Sequence, residues 1–350
     1  MSQSYQAVGW NRQKKIYDLM ILIGVFLYIG IFLGIGFSFF PNATAETLII
    51  RAFGTGAFVL LHIILMIGPL SRRFPSLLPL LYNRRHLGVT MFLMALVHGA
   101  FSILQFHAFG DMNPIVSVFV SNGEYDSISQ FPFQSLGFIA LMILFVMAAT
   151  SHDFWLANLT APIWKALHML VYVAYTLICI HVILGAFQTD VSSVYHTLLG
   201  AGVALVFTSH IIAGFQEKAK DEEFDSEIDD DGYKKICAVS EIPEKCAHVA
   251  TLSGERIAVF NFDGKIAALS NVCQHQNGPL GEGKIVDGYV TCPWHGFQYR
   301  PEDGASPEPF TEKVPTFKVK IIEDYVWVHP TPNAPGTHQE PVKLENDNNA

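Results

Sequence analysis

Six apolar stretches, at 16–40, 47–70, 86–107, 131–151, 165–187 and 195–215, dominate the first 216 residues. Each approaches or exceeds the ~20 residues that cross a bilayer. In lipid such a segment satisfies its backbone as a helix, so the pattern predicts an all-α membrane bundle of six transmembrane helices over 16–216, with the lipid bilayer as its first partner. The charge divides at the same place. Residues 1–216 carry 9 basic and 7 acidic side chains, whereas 217–350 carry 13 and 24. The net charge of −9 therefore describes neither part. The acidic surplus argues against nucleic acid as a partner.

Polar flanks set an expected orientation. Arg12, Lys14 and Lys15 precede the first span, Arg72, Arg73, Arg84 and Arg85 lie between the second and third, Lys165 opens the fifth, and Lys218 and Lys220 follow the sixth. The opposite side has only Arg51. The positive-inside bias places both termini, including the tail 1–15, in the cytoplasm, which in a bacterial cell means a multi-pass protein of the inner (cytoplasmic) membrane. The first apolar run is too long for a signal-peptide core and reads as a retained span.

Residues 217–232 form an acidic, apolar-poor run expected to be a solvated linker, with a helical extension of the sixth span open to its first residues. From 233 to 330 short Val-, Ile- and aromatic-rich segments alternate with turn signals, which predicts a small all-β domain. Asp263-Gly264 has the form of a two-residue hairpin turn. Residues 331–350 are polar and read as a disordered tail.

Two of the five cysteines are paired with histidines. Cys273-Gln-His275 and Cys292-Pro-Trp-His295 form C-x-H and C-x-x-H pairs in loops rich in Gly, Pro and Asn. Those four ligands suit a zinc site. They also suit a Rieske [2Fe-2S] cluster, with two thiolates on one iron and two imidazoles on the other. The two motifs, with Gly281 and Gly283 beside the first, resemble the Rieske family over most of 233–330. That resemblance implies Cys273, His275, Cys292 and His295 as cluster ligands. Respiratory Rieske proteins carry an extra disulfide between the loops; here residues such as Asn277 and Trp294 occupy that region, as in the ferredoxins of oxygenase systems. High-potential members also place a serine two residues after the second histidine and a tyrosine two beyond it. Here these are Phe297 and Tyr299, so a sulfur hydrogen bond is missing and a low or middle Rieske potential is expected.

Nine histidines fall between Leu61 and Ile211. An ionisable side chain in a bilayer is by default a functional-site candidate. His107, His152 and His196 lie near span ends, where an imidazole reaches the interface. His62 and His210 read as hydrogen-bonded helix residues, His62 being the alternative ligand. His86 and His98 in the third span, and His168 and His181 in the fifth, are separated by about 18–20 Å along their helices. His86 and His168 are both shallow from the basic side, and His98 and His181 both deep, so two helices could hold two stacked haems. At 100° per residue neither pair shares one ideal face, so a twisted or kinked helix, and haems bound at different azimuths, are required. The stretches RRHLGVTMFLMALVHGAF and WKALHMLVYVAYTLICIHVILG resemble the ferric reductase transmembrane family, which includes the NADPH oxidases. The resemblance implies b-type haem, two in number, on His98 with His181 and on His86 with His168.

That family usually takes electrons from a flavin and nicotinamide domain, but this chain has no G-x-G-x-x-G fingerprint after a strand. The Rieske-like domain stands in its place. The expected function is a membrane-bound oxidoreductase passing electrons from a cytoplasmic donor, a reductase or ferredoxin-like protein, through the cluster and haems to an unidentified acceptor on the outer side. Two other readings remain: a non-catalytic electron-transfer subunit of a partner reductase, and a membrane-anchored Rieske ferredoxin without haem.

Overall fold

A computed structural model describes residues 12–344, except 78–79, 82, 129, 152–154, 156–158, 160, 188–192, 222–225, 276, 295 and 309. Among the described residues the first part is helical: α1 (Arg12–Phe39), α2 (Ala45–Arg73), α3 (Arg84–His107), α4 (Pro114–Val120), α5 (Phe133–Thr150), α6 (Ala161–Met169), α7 (Val171–Phe187) and α8 (Ser193–Asp221). Six windows are long and apolar enough to span a membrane, and they coincide with the six stretches read from the sequence. The fifth combines α6 and α7.

The bundle packs α2 on α3, α3 on α5, and α5 on α7. Its core gathers Leu61, Leu65, Met91, Phe92, Leu141, Leu144 and Tyr175. Large apolar side chains such as Phe26, Leu27, Phe145 and Phe207 face outward and are exposed. In water such a surface would drive association; in a bilayer it faces lipid. Of the two spans whose histidine spacing calls for a twist or kink, α3 is unbroken from Arg84 to His107, whereas the fifth span is interrupted. The helix breaks at Leu170, whose amide donates to the Leu167 carbonyl three residues back at 3.2 Å. That tighter turn lies between His168 and His181, so ideal-helix arithmetic does not apply across it.

Among the described residues the second part is a β-domain of eleven strands: β1 (Lys234–Ala238), β2 (Ala247–Leu252), β3 (Glu255–Phe262), β4 (Lys265–Ser270), β5 (Lys284–Val286), β6 (Tyr289–Thr291), β7 (Gln298–Tyr299), β8 (Thr316–Phe317), β9 (Val319–Ile322), β10 (Tyr325–Val328) and β11 (Val342–Lys343). They form antiparallel sheets in the orders β1-β10-β9, β11-β4-β3-β2 with β8 also on β4, and β5-β6-β7. Asp263 (φ 46°) and Gly264 (φ 68°) close the β3-β4 hairpin with two left-handed residues, as expected of Asp-Gly. One cluster, including Ile257, Val259, Ile266, Phe317 and Val326, packs between sheets. Another, including Phe260, Leu280, Val290 and Tyr299, surrounds Cys273 and Cys292.

Two expectations need correction. The linker's later residues are ordered: Ile228 bridges to Lys234, and the Asp229 carboxylate pairs with Lys320 of β9. Residues 331–344, expected within a disordered tail, return to the domain. β11 pairs with β4, Asn333 Nδ2 donates to Thr316 Oγ1 at 3.0 Å, and the Thr316 hydroxyl donates to the Thr337 carbonyl at 3.0 Å. Polar composition hid this, because the anchors are few: Pro341 is buried and Leu344 packs on the core. Removing 331–350 should lower the thermal stability of the β-domain by about 1–3 kcal/mol, since several hydrogen bonds worth about 1 kcal/mol each are lost. Limited proteolysis with temperature checks this; an unchanged profile contradicts it.

Candidate redox centres

The two cysteine loops are built alike. Cys273 follows β4 and Cys292 follows β6. In each, the cysteine carbonyl accepts the amide four residues on, Asn277 at 2.7 Å and Gly296 at 2.9 Å. The cysteine amide donates to the carbonyl five residues on, Gly278 at 2.9 Å and Phe297 at 2.7 Å. The residue four on is left-handed in both, with φ 58° at Asn277 and 69° at Gly296. Asn and Gly are the residues that tolerate this conformation best. Within these equivalent loops the first histidine sits two residues after its cysteine and the second three. His295 lies outside the described residues.

Both thiols are 1% exposed. Cys273 Sγ lies 3.3 Å from the Tyr299 hydroxyl, which also accepts the Gln274 amide at 3.0 Å. Burial, with the Cys273 and Cys292 thiols beside it, holds the Tyr299 phenol far above its usual range, so it stays a hydrogen-bond donor to sulfur. A Cβ at Gly278 would stand 2.7 Å from Cys292 Sγ. Backbone without a side chain is what leaves that sulfur its space.

The His275 ring stacks on Phe297 at 4.8 Å and 7° between planes, and Phe310 meets Phe297 edge-on. Burial lowers the pKa of His275 against the opposing charge of Glu312, which favours the neutral imidazole that ligates metal. Cys273, His275 and Cys292 do not gather as a three-group cluster among the described residues. A Rieske cluster splits its ligands two and two between its irons, so no three need share one metal. The donor set fits that group.

In the membrane bundle the structure brings His98 of α3 and His181 of α7 together, ring centroids 6.3 Å apart and planes at 85°. A metal–imidazole bond of about 2 Å puts two axial imidazoles on one iron at about this centroid spacing. His98 Nδ1 bonds the Ile50 carbonyl of α2 at 2.9 Å, and His181 Nδ1 bonds the Phe133 carbonyl of α5 at 2.8 Å. Each carbonyl is followed four residues on by a glycine against the same imidazole. A Cβ at Gly54 would stand 2.6 Å from His98, and one at Gly137 2.8 Å from His181. With Nδ1 held, Nε2 is the nitrogen that would bind a metal. Both rings line a largely apolar cavity of about 380 Å³. The residues fit a bis-histidine haem.

No ring contact joins His86 and His168 among the described residues. His86 Nδ1 bonds Asp18 Oδ1 at 2.5 Å. His168 stacks on Trp164, bonds the Trp164 carbonyl through Nδ1 at 2.9 Å, and meets Ser151 Oγ through Nε2 at 3.2 Å. His86 is thus held through Nδ1 and His168 through both ring nitrogens, and the described residues do not bring the two rings together.

The other histidines have protein partners. His62 bonds the Phe58 carbonyl and the Tyr175 hydroxyl, and His210 bonds the Val206 carbonyl of its own helix. His107, expected at the interface, is 7% exposed and held by Ser117 and Gln134. Its partners come from α4 and α5, which fold over the span end. His196 is exposed, and His152 lies outside the described residues. Sequence reasoning passed over Asp18, although an acid inside an apolar span is a recognisable signal. It also passed over Gly54 and Gly137, which no local pattern sets apart.

Residues 232–318 match the Rieske [2Fe-2S] domain, and 53–179 match the ferric reductase like transmembrane component. The anthranilate 1,2-dioxygenase ferredoxin subunit of Burkholderia cepacia is 33% identical over 82 residues, covering 23% of this chain and 76% of that protein. The chain joins a ferric reductase-like transmembrane domain to a Rieske domain. Cholesterol 7-desaturase of Xenopus laevis is 35% identical over 99 residues, 25% of this chain and 22% of the relative. The oxygenase component of dicamba O-demethylase from Stenotrophomonas maltophilia is 31% identical over 75 residues, 19% of this chain and 22% of the relative. The chain thus spans about a fifth of the length of these two. With six membrane spans and a Rieske [2Fe-2S] domain, it is a multi-pass membrane protein with a redox, electron-transfer role.

The Rieske domain's Phe297 offers sulfur no hydroxyl. Phe297→Ser adds a donor worth about 1–2 kcal/mol, which stabilises the reduced cluster. Its midpoint should rise by about 40–90 mV for one electron. Protein-film voltammetry measures this; an unchanged or lowered midpoint in a variant retaining its Rieske EPR signal contradicts it.

Proposed function

We propose that this protein is a membrane-bound oxidoreductase that passes electrons from a cytoplasmic donor, a reductase or ferredoxin-like protein, by way of its Rieske cluster and two b-type haems to an acceptor on the other side. When bound, the cluster and haems supply one-electron redox chemistry, and the protein supplies position and electrostatics. Cys273 and Cys292 are the ligands for one iron of the cluster, His275 and His295 for the other. His98 and His181 hold the outer haem, His86 and His168 the inner. Both termini lie in the cytoplasm by the basic flanks around Arg12, Arg72, Arg73, Arg84 and Arg85, and the membrane is the inner (cytoplasmic) one.

The observation that carries this reading is the His98–His181 pair. Two imidazoles from different helices face each other at a separation suited to one iron, each held by a carbonyl of a further helix. A mere anchor for a ferredoxin needs no such pair. Ile50 and Phe133 fix the ring orientations. Apolar neighbours such as Leu61, Met91 and Leu144 line the cavity.

His98→Ala and His181→Ala should each remove about half of the b-type absorbance while leaving the Rieske EPR signal. Gly137→Ala should lower the same haem's occupancy by displacing His181. Optical spectra of the purified variants check this, and a full haem spectrum in both histidine variants means the ligands are elsewhere.

A further inference from the structure

The connection between the third and fourth spans, 108–132, divides into an apolar part and a polar one. Phe109, Met112, Ile115, Val116, Phe119 and Val120 are exposed, Phe109 at 86%. A polar stretch with Asn122, Glu124 and Asp126 follows and folds on itself, Asn122 Nδ2 donating to the Gln130 carbonyl at 2.7 Å. Helix α4 lies in the apolar part and leaves one side uncovered. Its inner side carries Ser117 and Val118, both buried. The Ser117 hydroxyl meets His107 Nδ1 at 2.8 Å, and His107 Nε2 donates to Gln134 Oε1 at 3.0 Å. The Phe119 ring meets Phe138 of α5 edge-on at 5.4 Å. These contacts fix α4 against the ends of α3 and α5, with Ile115, Val116 and Val120 left uncovered.

We propose that the segment 109–120 is seated in the membrane–water interface and that its partner is a lipid surface of uncharged or zwitterionic headgroups. The exposed apolar face of α3 runs on into it, since Leu104 and Phe106 in the last turn of that span are exposed as Phe109 is. The segment thus continues a surface that faces lipid. Lys and Arg are absent from 108–132, whereas Asp111, Glu124 and Asp126 are present. Anionic lipid, which attracts basic segments, is therefore the wrong partner. The backbone sets the depth. Residues 108–113 are irregular, and irregular backbone facing lipid does not occur in the hydrocarbon core. Helix α4 meets its first amides from within, Asn113 Oδ1 accepting from Ile115 at 3.0 Å and Val116 at 3.4 Å. The turn therefore belongs at headgroup level, with the apolar side chains reaching about 5–10 Å into the acyl boundary. Val118 on the inner side lines the same cavity as His98 and His181, so the element that meets lipid on one side walls that cavity on the other.

The full-length protein is reconstituted in phosphatidylcholine vesicles with a nitroxide label on Phe109→Cys, on Val116→Cys or, in the polar stretch, on Glu124→Cys. The unsubstituted chain, treated with the same label, supplies the background of the native cysteines. Collision with oxygen, which concentrates among acyl chains, is compared with collision with a water-soluble nickel chelate. The oxygen-to-nickel ratio at Phe109 and Val116 should exceed that at Glu124 severalfold. The two apolar positions give independent readings, so a poorly folded variant at one leaves the other. A ratio at both equal to that at Glu124 puts the face in water and overturns the proposal. Weak collision with both reagents means that protein covers the face, a partner or a second copy, and overturns it equally.

Discussion

An imidazole N–H in the hydrocarbon core of a membrane must find an acceptor inside the protein, and the arrangement of the bundle follows from that need. Leaving such a group unpaired costs about 1–3 kcal/mol. His98 and His181 solve the problem in the same way, on two different helix pairs. A carbonyl at Ile50 or Phe133 takes the Nδ1 proton, and a glycine four residues later, Gly54 or Gly137, makes room for the ring. The helices therefore approach closely where the imidazoles cross, α2 against α3 and α5 against α7. Small residues permit such approach in membranes. Both rings line a largely apolar cavity beside this approach.

The Rieske domain meets a comparable requirement with loops instead of helices. Each cysteine closes its own loop with both backbone groups, so the thiol is fixed by the main chain before any metal is considered. The left-handed residue at Asn277 and Gly296 makes that closure possible. Tyr299 then reaches Cys273 Sγ from β7. Phe297, two residues earlier, turns an aromatic face to His275. One loop end thus contributes a hydrogen bond to sulfur and an apolar cover for an imidazole.

Much of this was legible from residue order. Span length and hydropathy locate the six helices because a bilayer leaves the backbone no alternative. The C-x-H and C-x-x-H pairs mark the two loops that the structure builds alike around Cys273 and Cys292. Depth arithmetic puts His98 and His181 at one level, and the structure brings their rings together. It does not find the break at Leu170 in the fifth span, between His168 and His181. Polar composition misjudged 331–344, because three or four anchoring contacts order a segment whose average is hydrophilic. The mutual approach of His86 and Asp18, 68 positions apart, is a tertiary fact that no period reveals.

The central claim is that one chain carries a Rieske cluster and membrane-bound b-type haem together. A potentiometric titration of the purified full-length protein, followed by optical absorption and EPR, tests it most directly. The expected result is a Rieske EPR signal together with two b-type haem components that titrate separately. A Rieske signal with no b-type absorption in the purified protein would contradict it.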